Sequence, residues 1–154
     1  MPSAKVGRRA PDFELEGTDG PFKLSDHLGE RVVLLFYPGD NTPVCTKQFC
    51  SYAERADDMR DLPATVVGIS SQDLVSHQDF HDKHSIPVPL LADTDKSVAK
   101  AYGVLGPGGA FVRRAIFVID PEGVIRYRKV ALVGLGFEDA DDLHAALDRA
   151  RTAA

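Results

Sequence analysis

The chain has 154 residues, 44% of them hydrophobic and 27% charged, with a formal net charge of −5. That apolar content excludes intrinsic disorder as the main state, and the length predicts a single domain over residues 1–154. The acidic balance argues against nucleic acid or a membrane surface as partner, and no run approaches the 18 apolar residues that cross a bilayer.

At the N-terminus Arg8-Arg9 is followed by Pro11, Asp12 and Glu14 where an export signal needs an apolar stretch, so a cytoplasmic location is expected. Phe13–Leu15 and Phe22–Leu24, joined across Gly17–Gly20, predict a small hairpin. Arg31–Tyr37 is a continuous apolar run, the pattern of a strand buried on both faces. From Pro43 to Met59 there is neither Gly nor Pro; the run predicts a helix with Thr42 as N-cap and Pro43 in the first position. Ala64–Ser70 is a second buried strand, Leu74–Lys83 a second helix, and Lys96–Tyr102 a short third helix ended by Gly103. Ala115–Ile119 and Val124–Val130 flank the turn Asp120-Pro-Glu-Gly123 and predict an antiparallel hairpin. Residues 132–137 are unusually apolar for a connection and predict a buried loop or a contact patch. The last helix runs from about Glu138 to Arg151, acidic at its start and basic at its end, with Leu143, Ala146, Leu147 and Ala150 as its buried stripe. This order predicts an α/β fold, a mixed β-sheet flanked by helices with an N-terminal β-hairpin extension.

The chemistry concentrates between Phe36 and Cys50. Cys45 falls in the first turn of the predicted helix, where unpaired N–H groups and the helix dipole stabilise a thiolate, the nucleophilic form. Position alone leaves a small buried apolar role equally open. Cys50 lies five residues on, and an ideal helix separates the two Cα atoms by about 8.6 Å. A disulfide spans no more than about 7 Å, so a static crosslink within an intact helix is disfavoured. A reactive thiolate and a second thiol that reaches it after local unwinding fit better. The spacing excludes a Cys-x-x-Cys exchange site, and two Cys are too few for a disulfide framework or a Cys-based zinc site. His77, His81 and His84 recur at helical spacing and could share a face suited to zinc or nickel. Asp79, Asp82 and Lys83 beside them favour a plain polar face instead. Gly106-Pro-Gly-Gly109 lacks the Lys and following helix of a phosphate loop and reads as a flexible connection.

The motif Pro38-x-x-x-Thr42-x-x-Cys45 resembles the active-site signature of the peroxiredoxins. The longer string Phe-Tyr-Pro-x-Asp-x-Thr-Pro-x-Cys-Thr from Phe36 to Thr46, followed by Cys50, is similar to the bacterioferritin-comigratory-protein or Q-type branch, the atypical two-cysteine form. Val6-Gly7, Ala10–Phe13, Val67–Ser70, Pro89–Asp93, Ala101–Gly103 and Arg114–Asp120 resemble family landmarks in the same order. The resemblance implies a thioredoxin-like fold and a thiol-dependent peroxidase that reduces hydrogen peroxide and organic hydroperoxides. It implies no cofactor and no metal, because sulfur itself carries the redox change. Cys45 would be the peroxidatic cysteine, Thr42 would hold the peroxide through its hydroxyl, and Pro38 would shield the pocket from water. Arg114 would set a guanidinium beside the thiolate. Cys50 would resolve the sulfenic acid as an intramolecular disulfide, reduced in turn by a thioredoxin-like protein.

A monomer or weak homodimer is expected. A one-cysteine peroxidase resolved by an external thiol and a peroxide-sensing thiol module are the alternatives. The chain departs from the branch at Val44, where Gly is common, and at Gln48, where Glu is common; both bear on rate and substrate preference. Adjacent strand residues point to opposite faces, so only one of Arg113 and Arg114 can reach Cys45. Alignment on Phe117–Asp120 favours Arg114 and leaves Arg113 as a solvated charge.

Overall fold

In the computed structural model, residues 4–40, 42–131, 137 and 139–152 are described. In chain order they form β1 (Glu14–Gly17), β2 (Phe22–Lys23), β3 (Val32–Phe36), α1 (Pro43–Glu54), α2 (Ala56–Arg60) and β4 (Thr65–Ser70). There follow α3 (Leu74–His84), β5 (Leu90–Ala92), α4 (Ser97–Ala101), β6 (Ala115–Ile119), β7 (Ile125–Val130) and α5 (Ala140–Thr152). The sheet order is β2-β1-β5-β4-β3-β6-β7. β3 is central, parallel to β4 and antiparallel to β6, and β4 continues parallel to β5. The N-terminal pair joins antiparallel through β1 and β5, and β6–β7 is the expected antiparallel hairpin. The expected architecture, a mixed sheet flanked by helices with an N-terminal strand pair, is the one observed.

The apolar runs are continuous because both faces of the sheet are covered. Along β3, Val33 and Leu35, with Tyr37 just beyond, belong to one core together with Phe49 and Tyr52 of α1, Phe80 of α3 and Leu143 and Leu147 of α5. Val32, Leu34 and Phe36 turn the other way and pack with Val98, Ala99, Tyr102 and Phe117. The α5 stripe of Leu143, Ala146, Leu147 and Ala150 is buried as its spacing predicts.

Several boundaries differ from the sequence expectation. The helix expected over 43–59 breaks at Arg55, whose φ of −118° and ψ of 41° leave the helical region. The Arg55 side chain pairs there with Asp58 and with Asp141 of α5, both at 2.9 Å. β5 was not expected. It spans three residues between Pro89 and Asp93, too short for any periodicity, and exists because β4 and β1 both pair with it. The short third helix narrows to Ser97–Ala101. The buried Asp93 carboxylate caps it, accepting from the N–H groups of Val98 at 3.1 Å and Ala99 at 2.9 Å. The apolar connection at 132–136 and the expected helix start at Glu138 lie outside the described residues.

Candidate active site

Two elements meet at the C-terminal end of β3. The chain leaves β3 at Phe36 and enters α1 at Pro43, with Cys45 in its first turn. On the neighbouring strand, Phe36 is registered opposite Ala115, which sets Arg114 one residue before β6 at the same end of the sheet. Arg114 Nη2 donates to Cys45 Sγ at 3.1 Å, and Arg114 is only 7% exposed. Arg113 points elsewhere. It is half-buried, with its guanidinium 5.8 Å from the Phe111 ring centroid, and is therefore a stacked group where a solvated charge was expected.

Gln48 completes the arrangement. It is buried, and its Oε1 accepts from Arg114 Nη1 while its Nε2 donates to Tyr52 OH at 2.9 Å. The amide thus orients the guanidinium without bringing a charge of its own, so Gln48 adds no negative charge beside the Cys45 sulfur. Arg114 Nε, also buried, has no partner among the described atoms.

Thr42 is exposed and does not cap α1 with its side chain; its hydroxyl donates to Gly39 O at 2.9 Å. The positive end of the α1 dipole lies at the turn that carries Cys45. Pro38 is half-buried in the same turn, whereas Cys45 is fully buried.

The turn is fastened from below by a network that sequence inspection did not single out. Asp40 Oδ1 accepts from Tyr37 OH at 2.7 Å, and Oδ2 accepts from Ser76 Oγ at 2.7 Å. His77 Nδ1 also lies 2.7 Å from Oδ2, so that nitrogen carries the proton it donates to the carboxylate. Both side chains of the Asp40–His77 pair are at most 1% exposed. Burial pushes the Asp40 carboxyl up, but the bonds from His77, Tyr37 and Ser76 outweigh it and hold the group below its ordinary range. Burial first, and the Asp40 charge second, push the Tyr37 hydroxyl well up, so it remains a proton donor. The Asp40 N–H donates to Gln72 Oε1 at 3.1 Å, and the Gln72 amide lies close against Gly39, 2.8 Å from where a Cβ would stand. The signal available in the sequence was an Asp in a turn and a His one helical turn into α3, a pattern shared by many surface residues.

Cys50 is half-buried on α1, and both cysteines are free thiols not at disulfide distance. The three histidines of α3 do not act as one polar face. His77 is buried against Asp40, His81 is 3.5 Å from Asp82, and His84 Nδ1 is 3.4 Å from Cys50 Sγ. Among the described residues no group of three or more His, Cys, Asp or Glu is placed to hold a metal ion. No described helix is long and apolar enough to cross a membrane. A cavity of about 200 Å³ lined by Arg9, His27, Leu28 and Asp120 opens at the other end of the sheet, beside Val32 and Ile119, and shares no residue with this site.

Residues 6–128 match the family model described as the AhpC/TSA family. The peroxiredoxin of Thermoplasma volcanium is 37% identical over 128 residues, covering 79% of this chain and 63% of that protein. The chain therefore spans less than two thirds of the length of that relative. Peroxiredoxin Bcp of Bacillus subtilis is 36% identical over 135 residues, covering 82% of this chain and 86% of its own. Among solved structures, peroxidoxin BcpB of Mycobacterium tuberculosis superposes with a TM-score of 0.78 at 32% identity, covering 96% of this chain and 97% of that one.

Proposed function

The chain belongs to the AhpC/TSA family, in its bacterioferritin-comigratory-protein and Q-type peroxiredoxin branch, and from that premise we propose that it is a thiol peroxidase working through Cys45 and Cys50. The carrying observation is the 3.1 Å contact between the buried Arg114 guanidinium and Cys45 Sγ at the start of α1. A fixed cation and a helix N-terminus both favour sulfur as the thiolate. The thiolate attacks the terminal oxygen of hydrogen peroxide or an organic hydroperoxide. The O–O bond breaks, the other oxygen leaves as water or an alcohol after taking a proton, and Cys45 becomes a sulfenic acid. Donors already aimed at the sulfur need no reorganisation as charge moves from sulfur to oxygen, which is the condition for a large electrostatic contribution.

In this reading Thr42, at the exposed mouth, contacts the peroxide, and Pro38 limits water. Cys50 then attacks the sulfenic sulfur and forms an intramolecular disulfide that a thioredoxin-like dithiol reduces. A reducing, cytoplasmic setting suits that cycle. Replacing Cys45 by Ser is expected to abolish peroxide consumption. Cys50→Ser is expected to leave one rapid oxidation of Cys45 and to stop turnover with thioredoxin and its reductase. Normal turnover of Cys50→Ser would favour the one-cysteine reading. Oxidation of the unmodified protein without steady-state turnover on any thiol would favour a sensor.

A further inference from the structure

α1 and α3 touch at a pair that the first oxidation step does not use. Cys50 Sγ and His84 Nδ1 are 3.4 Å apart, within hydrogen-bond reach for sulfur, and both residues are half-buried. The imidazole is held in orientation by aromatic packing. It stands edge-on to Phe80 with centroids 5.1 Å apart, and Phe80 stands edge-on to Phe49 of α1 at 5.9 Å. His84 is the last residue of α3, which ends at Ser85 in the left-handed conformation with φ 51°. The carbonyl end of the helix dipole lies there, and a positive charge is favoured at that end.

The two sulfurs are thus served by different partners. Cys45 faces a guanidinium, which supplies charge but cannot take up a proton. Cys50 faces an imidazole, which can. A thiol within hydrogen-bond reach of an oriented imidazole is the usual arrangement for generating a thiolate at neutral pH.

We propose that His84 is a further catalytic residue, the general base that deprotonates Cys50 for attack on the oxidised Cys45; this rests on the reading of Cys50 as the resolving thiol. The Cys50 S–H proton passes to His84 Nδ1 while α1 is still folded. The thiolate then attacks the sulfur of the Cys45 sulfenic acid once the intervening turn opens. The S–S bond forms and the S–O bond breaks. The Cys50 sulfur is oxidised from thiol to disulfide, and the Cys45 sulfur is reduced from sulfenic acid to disulfide. The departing hydroxide takes a proton from solvent and leaves as water, and His84 returns its proton to solvent, so no other oxidant or reductant enters.

The test reads Cys50 directly and then in the cycle. In a Cys45→Ser background, alkylation of Cys50 by iodoacetamide at neutral pH is expected to slow roughly 10-fold when His84 is replaced by Phe or by Asn. A role limited to packing predicts the opposite sign, since loosening the α1–α3 contact exposes the sulfur and speeds alkylation. An unchanged or faster rate in both variants overturns the proposal. With both cysteines present, rapid mixing with one equivalent of hydrogen peroxide separates sulfenic acid formation from disulfide formation. The second phase is expected to slow about 10-fold in either variant and the first to keep its rate, which also reports an intact fold. Equal slowing of both phases overturns the assignment. Failure of the underlying reading has a separate signature: Cys50→Ser turns over normally with thioredoxin, whatever the alkylation rates show.

Discussion

At the scale of single residues the site depends on charges placed without water. Arg114 sits at 7% exposure with one nitrogen on sulfur and another on the neutral Gln48 amide. Arg114→Ala should slow the reaction with peroxide roughly 100-fold, the usual cost of removing a preorganised donor. Single-turnover rates with hydrogen peroxide would check it, with Arg113→Ala as the control that changes little. Asp40 makes a second prediction, about stability. Its folded value lies below the ordinary 3.8, so the stabilisation from its ionised form is complete above that value and is lost as pH falls through the lower folded value. Asp40→Asn should therefore lower stability near neutrality by about 1–3 kcal/mol, because Tyr37, Ser76 and His77 lose a charged acceptor. It should also flatten the fall in stability below about pH 4. Urea unfolding at a series of pH values measures both effects.

At the scale of the element, α1 has to be stable and breakable at once. Its buried side carries Phe49 and Tyr52, with Phe49 edge-on to Tyr37 at 4.7 Å, to Tyr52 at 5.4 Å and to Phe80 at 5.9 Å. A bond between Cys45 and Cys50 needs the sulfurs closer than an intact helix allows, since Cα atoms five residues apart are about 8.6 Å from each other. Oxidation should then unwind residues 44–52 and release that aromatic packing. The oxidised protein should exchange amide hydrogens faster in this segment and be less stable overall, although a crosslink normally stabilises a chain. Hydrogen exchange on reduced and peroxide-treated protein, with a mass loss of about 2 Da marking the bond, makes the comparison. Equal protection in the two states would refute the unwinding. The break at Arg55, tied to Asp58 and Asp141, leaves α1 a separate short helix that can open without carrying α2 with it.

At the scale of the whole molecule, the sheet brings three distant segments to one end. Cys45 arrives on the helix after β3, Arg114 immediately before β6, the strand beside β3, and His77 in the first turn of the helix after β4, where it meets Asp40. The approach of α1 to the sheet is close at Gly68 of β4, where a Cβ would stand 2.9 Å from Leu90 Cδ2 and 3.2 Å from Phe49 Cζ. Leu90 can turn away, but the Phe49 ring is held by three other rings. Gly68→Ala should therefore cost about 1–3 kcal/mol by overpacking, read as a lower urea midpoint at unchanged slope. Because Phe49 is displaced, the same variant should also slow peroxide reduction.

Patterns carried over a few neighbouring residues were decided by the sequence alone. The runs at 31–37 and 64–70, rich in β-branched and aromatic residues, determined the buried central strands. The turn at Asp120–Gly123 determined the β6–β7 hairpin, and Thr42-Pro43 determined the start of α1 and put Cys45 in its first turn. The alignment on Phe117–Asp120 picked Arg114 over Arg113, although both residues precede β6 and strand alternation is not what separates them. Contacts between segments far apart in the chain were decided only by tertiary structure. β5 is three residues that become a strand because two other strands pair with them. Gln48, a neutral substitution in the sequence, becomes the buried anchor of Arg114. The α3 histidines, evenly spaced and alike in one dimension, acquire separate partners in Asp40, Asp82 and Cys50. Helical spacing fixes which residues can share a face, but the partner that face meets depends on how the sheet packs its helices, and that is a property of the whole chain.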